Sequence, residues 1–250
     1  MTNFSEIKVS RDGERCTISF DRTEALNAIT PTMLEELNAA ATAASEDDGI
    51  RFVVLTGEGR SFSAGVDLKA LGERELTNGK VGDILDLPAR RLTSTLSSMP
   101  KVTIARVNGF CFTGALELAI SCDLLVVASN AKMGDTHAKF GLRPTWGLSQ
   151  RLPELVGLAK ARELSFTARI FSGEEAAQWG LATEAVALED LDGRIDELIE
   201  EMSGNSSESF VAYKDLYAAS SQLGLEAGLE YEGLTDYGFS DTEERLKGFR

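Results

Sequence analysis

One histidine, His137, is all that 250 residues contain, so any mechanism that needs two imidazoles is closed to this chain. Basic residues are the second shortage. Lys and Arg number 25 against 40 Asp and Glu, a net charge of −15. A surface of that sign repels phosphate backbones and argues against nucleic acid as a partner. A small anionic ligand stays open, because a local basic patch or a helix N-terminus can hold one. Cysteine is scarce too: Cys16, Cys111 and Cys122 are odd in number and lack metal-ligand spacing. Free thiols in a reducing cytoplasm are the expectation, and no metal site. Long apolar runs are missing. "DLLVVAS" at 123–129 is far too short to cross a bilayer. The start "MTNFSEIKVS" has no basic region followed by an apolar one, so neither a secretion signal nor a membrane partner is expected. Walker, dinucleotide-binding and GxSxG patterns are absent as well, which weakens nucleotide-binding and serine-hydrolase readings.

What is present is an ordinary globular composition, 43 % hydrophobic and 26 % charged, long enough for one sizeable core. "FSEIKVSRDGERCTISFDR" reads as two strands around an Asp12-Gly13 turn. Thr30-Pro31 opens a helix that continues through "MLEELNAAATAA". "RFVVLTGEG", "KVTIARV" and "DLLVVAS" are strands, with the helix "ALELAISC" between the last two. Strand and helix alternate, so parallel pairing is expected. After Pro144 the pattern turns helical. "SGEEAAQWG" starts with a Ser172–Glu175 capping box, "LATEAVAL" is a short strand, and from 189 on the chain reads as helices broken near Gly204 and Gly224.

Two stretches carry the chemistry. In "SFSAGVDLKAL", 61–71, small residues after a strand let a ligand approach the main chain, and Gly65 permits a strained turn. The N–H of Val66 is then free at the mouth of a helix "DLKAL". In "ARVNGFCFTGALELAISCD", 105–123, Asn108-Gly109 turns and a helix begins near Thr113-Gly114-Ala115, leaving N–H groups uncovered with a helix dipole behind them. Glu117 follows in its first turn. Either stretch alone is an ordinary strand-to-helix turn. Together they offer two N–H groups to one oxygen, an oxyanion hole.

"FSAGVDL" and "VNGFCFTGALELAISCDL", in this order and at this separation, resemble the two signature regions of the crotonase superfamily, the enoyl-CoA hydratase/isomerase family. The similarity runs from "LNAI" at 26–29 through "GLATEAV" at 180–186, and less clearly beyond. The resemblance implies an α/β fold: a β-β-α superhelical core, here residues 1–190, and a helical C-terminal trimerisation region, 191–250. It implies a homotrimer or a dimer of trimers, an acyl-CoA thioester as substrate, and no cofactor beyond the coenzyme A of that substrate. By the same resemblance the oxyanion donors are the N–H groups of Val66 and Gly114. The CoA moiety runs along Ala64, Asp67 and Leu68, with Arg22 and Ala25 near it. Lys69 meets a CoA phosphate or is a solvated surface lysine.

Hydratases of the family use two glutamates. Glu117 matches the first, and His137 stands where the second falls in "KMGDTHAKFGLRP". Three readings stay open: His137 replaces the second carboxylate as acid or base; Asp135 or His137 only shapes the pocket; or the protein binds acyl-CoA without turning it over. Trp146, in "PTWGLSQRL", adds bulk where the acyl chain passes, or seals the helix as a core residue. Hydration of a trans-2-enoyl-CoA is the leading expectation, with 3,2-enoyl-CoA isomerisation as the alternative. Hydrolysis through Ser63, the one serine near the proposed hole, ranks lower.

Overall fold

The computed structural model describes residues 4–69, 72 and 76–249. Strands β1 (Ile7–Asp12) and β2 (Arg15–Phe20) form the expected hairpin, antiparallel from Ile7↔Phe20 to Asp12↔Arg15. Helix α1 (Pro31–Glu46) starts where the sequence predicts: the Thr30 hydroxyl accepts the Met33 N–H at 3.0 Å, and proline fills the first helical position.

The chain then repeats one pattern three times: a strand, a short strand, a helix. The first set is β3 (Phe52–Gly57), β4 (Ser61–Ser63) and α2 (Asp83–Ser98). The second is β5 (Val102–Val107), β6 (Phe110–Phe112) and α3 (Gly114–Ala119). The third is β7 (Leu124–Ala128), β8 (Lys132–Gly134) and α4 (Leu148–Thr167). Then come β9 (Phe171–Ser172), α5 (Gly173–Gln178) under its capping box, β10 (Glu184–Val186) and α6 (Leu191–Ser203). The first strands of the sets join the hairpin and β10 in a six-stranded sheet, order β1-β2-β3-β5-β7-β10, parallel from β2 onward. Every residue of β3 is buried, as a parallel strand covered on both faces must be. The second strands, joined by β9, build a separate four-stranded sheet, order β4-β6-β8-β9. Phe20 and Phe62 meet edge to face at 5.0 Å between the two sheets.

Sequence reasoning placed neither β9, two residues long, nor α2, although Leu85, Ala89, Leu92 and Leu96 recur there at helical spacing and are buried. The helix expected over "DLKAL" does not begin as one: Leu68 and Lys69 form a turn, and Ala70 and Leu71 lie outside the described residues. The stretches "LSQRLPELVG" and "LAKARELSFTA" each read as helical, and the structure keeps them as two helical segments of α4 that meet at Gly157, whose φ of +76° breaks the helix.

Chain contacts divide the molecule into two units, Met1–Asp196 and Glu197–Arg250. The second contains α7 (Ser207–Ser220), α8 (Leu225–Leu234) and α9 (Thr242–Leu246). Within it, the Tyr231 and Tyr237 hydroxyls both donate to Oδ2 of Asp215, at 2.8 and 2.6 Å. All three cysteines are free, with Cys16 and Cys111 buried. Among the described residues no helix is long and apolar enough to cross a membrane.

Asn27, from "LNAI", ties the first turn to β4. It is fully buried, accepts the Arg22 N–H at 2.9 Å and donates to Ser61 and Glu58 carbonyls at 2.8 and 3.0 Å. Its φ of +57° suits asparagine better than most residues. Replacing it by alanine strands these groups, so Asn27→Ala is expected to lower the unfolding free energy by about 2–4 kcal/mol, read by urea denaturation. A loss under about 0.5 kcal/mol would mean the turn holds without it.

Candidate active site

The loops that follow β4, β6 and β8 converge on one cavity of about 110 Å³, lined among others by Ala64, Val66, Leu68, Gly114, Glu117, His137 and Trp146. The parallel pairing of the three short strands dictates this, because it sets their C-terminal ends side by side.

The first loop is backed by "LNAI". The Ile29 N–H donates to the Gly65 carbonyl at 2.8 Å, and the Asp67 N–H to the Ile29 carbonyl at 2.9 Å, so Ile29 and Val66 form a parallel bridge. In such a bridge the residues flanking Val66 make the bonds, and the N–H of Val66 itself points the other way. Among the described residues it has no acceptor. Gly65 takes φ +91°, and a Cβ there would sit 2.8 Å from the Phe112 carbonyl oxygen, so only glycine fits.

The second N–H is that of Gly114, first residue of α3, where no intrahelical acceptor exists. It too has no acceptor among the described residues. The preceding Thr113 has φ 54° and ψ −111°, a strained conformation for a β-branched residue. Its hydroxyl bonds that of Thr136 at 2.6 Å and fastens the second loop to the third.

The Glu117 carboxyl is 1 % exposed. Oε1 accepts the N–H groups of Trp146 and Leu148, both at 3.0 Å. Oε2 faces Nε2 of His137 at 3.7 Å, beyond direct hydrogen bonding. Burial pushes the Glu117 carboxyl above its ordinary value, and the two backbone donors and His137 do not cancel that. On the other side of the ring, Nδ1 of His137 lies 2.7 Å from Oδ1 of Asp135. Burial works against ionisation of Asp135, but hydrogen bonds from His137 and Ser165 outweigh it and hold the carboxyl below its ordinary range. An ionised carboxylate only accepts, so Nδ1 carries a proton, and in the neutral ring Nε2 is then the nitrogen with a lone pair, on the side of Glu117.

Of the residues expected to meet CoA or the acyl group, Ala64, Leu68 and Trp146 line the cavity. Arg22 and Asp67 brace the loop behind it: the guanidinium reaches Asp67 at 3.1 Å, Glu6 at 3.6 Å and the Ala28 carbonyl at 2.6 Å. Ala25 belongs to a short 3-10 turn, Thr23–Ala25, and Lys69 is exposed. Ser63 is buried and its hydroxyl accepts the Gly65 N–H at 3.2 Å, an arrangement of a turn and not of a nucleophile beside His137. Asp86 was missed by sequence reasoning. It is 4 % exposed on α2 and accepts from the Trp146 indole Nε1 at 2.9 Å and the Thr145 hydroxyl at 2.6 Å. One signal was available, since Asp86 shares a helical face with Ala89 and Thr93, both buried. Among the described residues no group of three or more His, Cys, Asp or Glu is arranged to hold a metal.

The sequence profile described as enoyl-CoA hydratase/isomerase matches residues 12–250. A crotonyl-CoA hydratase of Syntrophomonas wolfei is 33 % identical over 189 residues, covering 75 % of this chain and 72 % of its own. The crystal structure of an enoyl-CoA hydratase from Bacillus anthracis superposes with a TM-score of 0.88 at 30 % identity, over 98 % of this chain and 95 % of that one. A Thermobifida fusca protein in complex with acetoacetyl-CoA gives 0.82 at 28 %, over 97 % and 95 %.

The raised pKa of Glu117 has a consequence for stability. The folded state binds this proton more tightly than the unfolded chain, so the contribution is complete below the ordinary value of 4.5 and is lost as pH rises through the folded value. Wild type is therefore expected to lose unfolding free energy relative to Glu117→Gln from about pH 4.5 upward. The groups acting on Glu117 electrostatically include His137 and Asp135, both retained in the variant. Urea titrations of both proteins across that range read the difference, and a difference that does not move with pH would contradict it.

Proposed function

The chain belongs to the enoyl-CoA hydratase/isomerase family and has the crotonase fold, and we propose that it is an enoyl-CoA hydratase acting on trans-2-enoyl-CoA thioesters. One observation carries the assignment of roles: two unpartnered N–H groups, Val66 and Gly114, and two acid–base groups, Glu117 and His137, line the same cavity. The thioester carbonyl is received by the two N–H groups, which stabilise the enolate that forms when a nucleophile adds at C3. The 3.7 Å between Oε2 of Glu117 and Nε2 of His137 suits a water that both groups contact. Nε2 of His137 takes one proton of that water as its oxygen bonds to C3. The Glu117 carboxyl, shifted by burial towards its protonated form, acts as the acid and gives a proton to C2. The product is a 3-hydroxyacyl-CoA, and one proton passed from imidazolium to carboxylate resets the pair. Asp135 holds the ring and stabilises its charged form, as an orienting carboxylate does. Two acid–base groups on opposite tasks favour hydration over isomerisation, which needs a single base.

The CoA chain leaves along Ala64, Asp67 and Leu68, with Lys69 exposed nearby for a phosphate; Arg22 pairs with Asp67 of that loop, and Ala25 stands in the turn that follows Arg22. The reaction draws on the chain's own acid–base groups, and coenzyme A is part of the substrate. Free cysteines and the acyl-CoA substrate favour the cytoplasm. We also propose a homotrimer or a dimer of trimers, with residues 1–190 as the catalytic core and 191–250 as the oligomerising region. Exposed apolar side chains support association: Phe166 is 78 % exposed in the first unit, and Leu225 and Leu234 are 81 % and 73 % exposed in the second.

With crotonyl-CoA, wild type is expected to give a product heavier by one water. Glu117→Gln and His137→Gln should each lose about 10²–10⁴ of the rate with folding intact. Mass analysis of the product and loss of the enoyl-thioester absorbance read this. A product of unchanged mass with a shifted double bond would instead establish isomerisation. Light scattering is expected to return three or six chain masses, and a single chain mass at micromolar concentration would defeat the oligomer.

A further inference from the structure

Trp146, 3 % exposed, is one of the residues that line the cavity. Its indole lies on Gly114 so closely that a Cβ on that glycine would overlap Cζ3 and sit 2.9 Å from Cη2. Its backbone N–H is one of the two that hold Glu117. One residue thus touches the oxyanion glycine with its ring and the acid with its main chain. The ring is pinned at its far edge, where Nε1 donates to Asp86 at 2.9 Å. The Thr145 hydroxyl donates to the same carboxyl oxygen at 2.6 Å. Among the described residues no cation pairs with Asp86. A buried carboxyl without a counter-charge is costly, so its value must lie in what it holds. Swinging the indole aside would leave the buried Nε1 without its acceptor and Asp86 with the Thr145 hydroxyl alone, which resists motion.

From this we infer that Asp86 is a positioning residue that locks the Trp146 indole as the end wall of the acyl pocket, and that the wall restricts the substrate to short enoyl groups. The inference deepens the hydratase reading and rests on it for the identity of the acyl group. The cavity beside the reacting groups is about 110 Å³, small against the roughly 300–1,000 Å³ of pockets that enclose drug-sized ligands. A wall held by a hydrogen bond on one side and a glycine on the other does not yield to a longer chain as a Met or Leu cluster would.

The test compares crotonyl-CoA with trans-2-decenoyl-CoA in the full-length protein. Wild type is expected to favour the four-carbon substrate by more than about tenfold in kcat/KM. Trp146→Ala should shift the ratio towards the long chain by at least about tenfold, chiefly through KM. Asp86→Leu, which removes the acceptor but leaves the indole, should shift it in the same direction, and Asp86→Asn, which keeps an acceptor oxygen for Nε1, should restore the wild-type preference. Trp146→Phe serves if the alanine variant does not fold. Binding of butyryl-CoA and decanoyl-CoA by calorimetry, which needs no turnover, should follow the same order. Selectivity in binding without hydration would refute the hydratase reading and keep the wall. Equal use of both chain lengths by wild type, or a uniform loss at every chain length in Asp86→Leu with the ratio unchanged, would overturn the inference.

Discussion

The parallel register of three very short strands governs everything downstream. β6 pairs with β4 through Ser61↔Phe110 and Ser63↔Cys111, and with β8 through Cys111↔Met133 and Phe112↔Gly134. Strands of three residues contribute little stability by themselves. They hold because each continues from a strand of the large sheet, whose apolar residues are buried on both faces. The consequence is geometric. Three loops far apart in sequence leave the small sheet at the same edge, and each delivers one part of the site. The loop after β4 delivers the Val66 N–H, the loop after β6 delivers Gly114 and Glu117, and the loop after β8 delivers His137 and Trp146.

Within that frame, electrostatics is arranged by burial and pairing. Asp135 stays ionised because His137 and Ser165 donate to it, and its charge fixes which imidazole nitrogen carries the proton. Glu117 sits deeper, and the same burial favours its neutral form. Two carboxyl groups on either side of one ring are thereby pushed in opposite directions, which separates an acid from a base. The Arg22–Asp67 pair and the "LNAI" backbone do quieter work. They fix the loop so that the Val66 N–H has no acceptor among the described residues and is open to a ligand oxygen. The strain at Thr113 belongs to the same design, since it is compensated by the bond to Thr136.

Much of this was legible from composition, caps and spacing. The Asp12-Gly13 hairpin, the Thr30-Pro31 helix start, the Ser172–Glu175 capping box and the parallel pairing of apolar strands are local or periodic signals, and they appear as expected. The pairing of "FSAGVDL" with "VNGFCFTGALELAISCDL" pointed to the family and to both N–H groups because those stretches are defined by small residues in fixed order. The strands of the small sheet carried no such signal. Three residues are too few for a period, and their pairing partners are about 20–50 residues away. Asp86 stayed hidden for the same reason: its partners Thr145 and Trp146 are nearly 60 residues on, and a lone acid in a helix reads as a solvated face.

The sequence by itself determined the alternation of apolar strands with helices, the sign of the surface charge, the single imidazole and the two glycine-containing turns that leave amides uncovered, because each of these is read from composition or from neighbours within a few residues. Tertiary structure alone decided that His137 stands between Asp135 and Glu117, that Trp146 holds Glu117 with its backbone while its ring covers Gly114, and that Asp86 reaches that ring. Those relations depend on how three turns of chain stack on one another. Stacking is set by burial summed over the whole core, which no short stretch encodes.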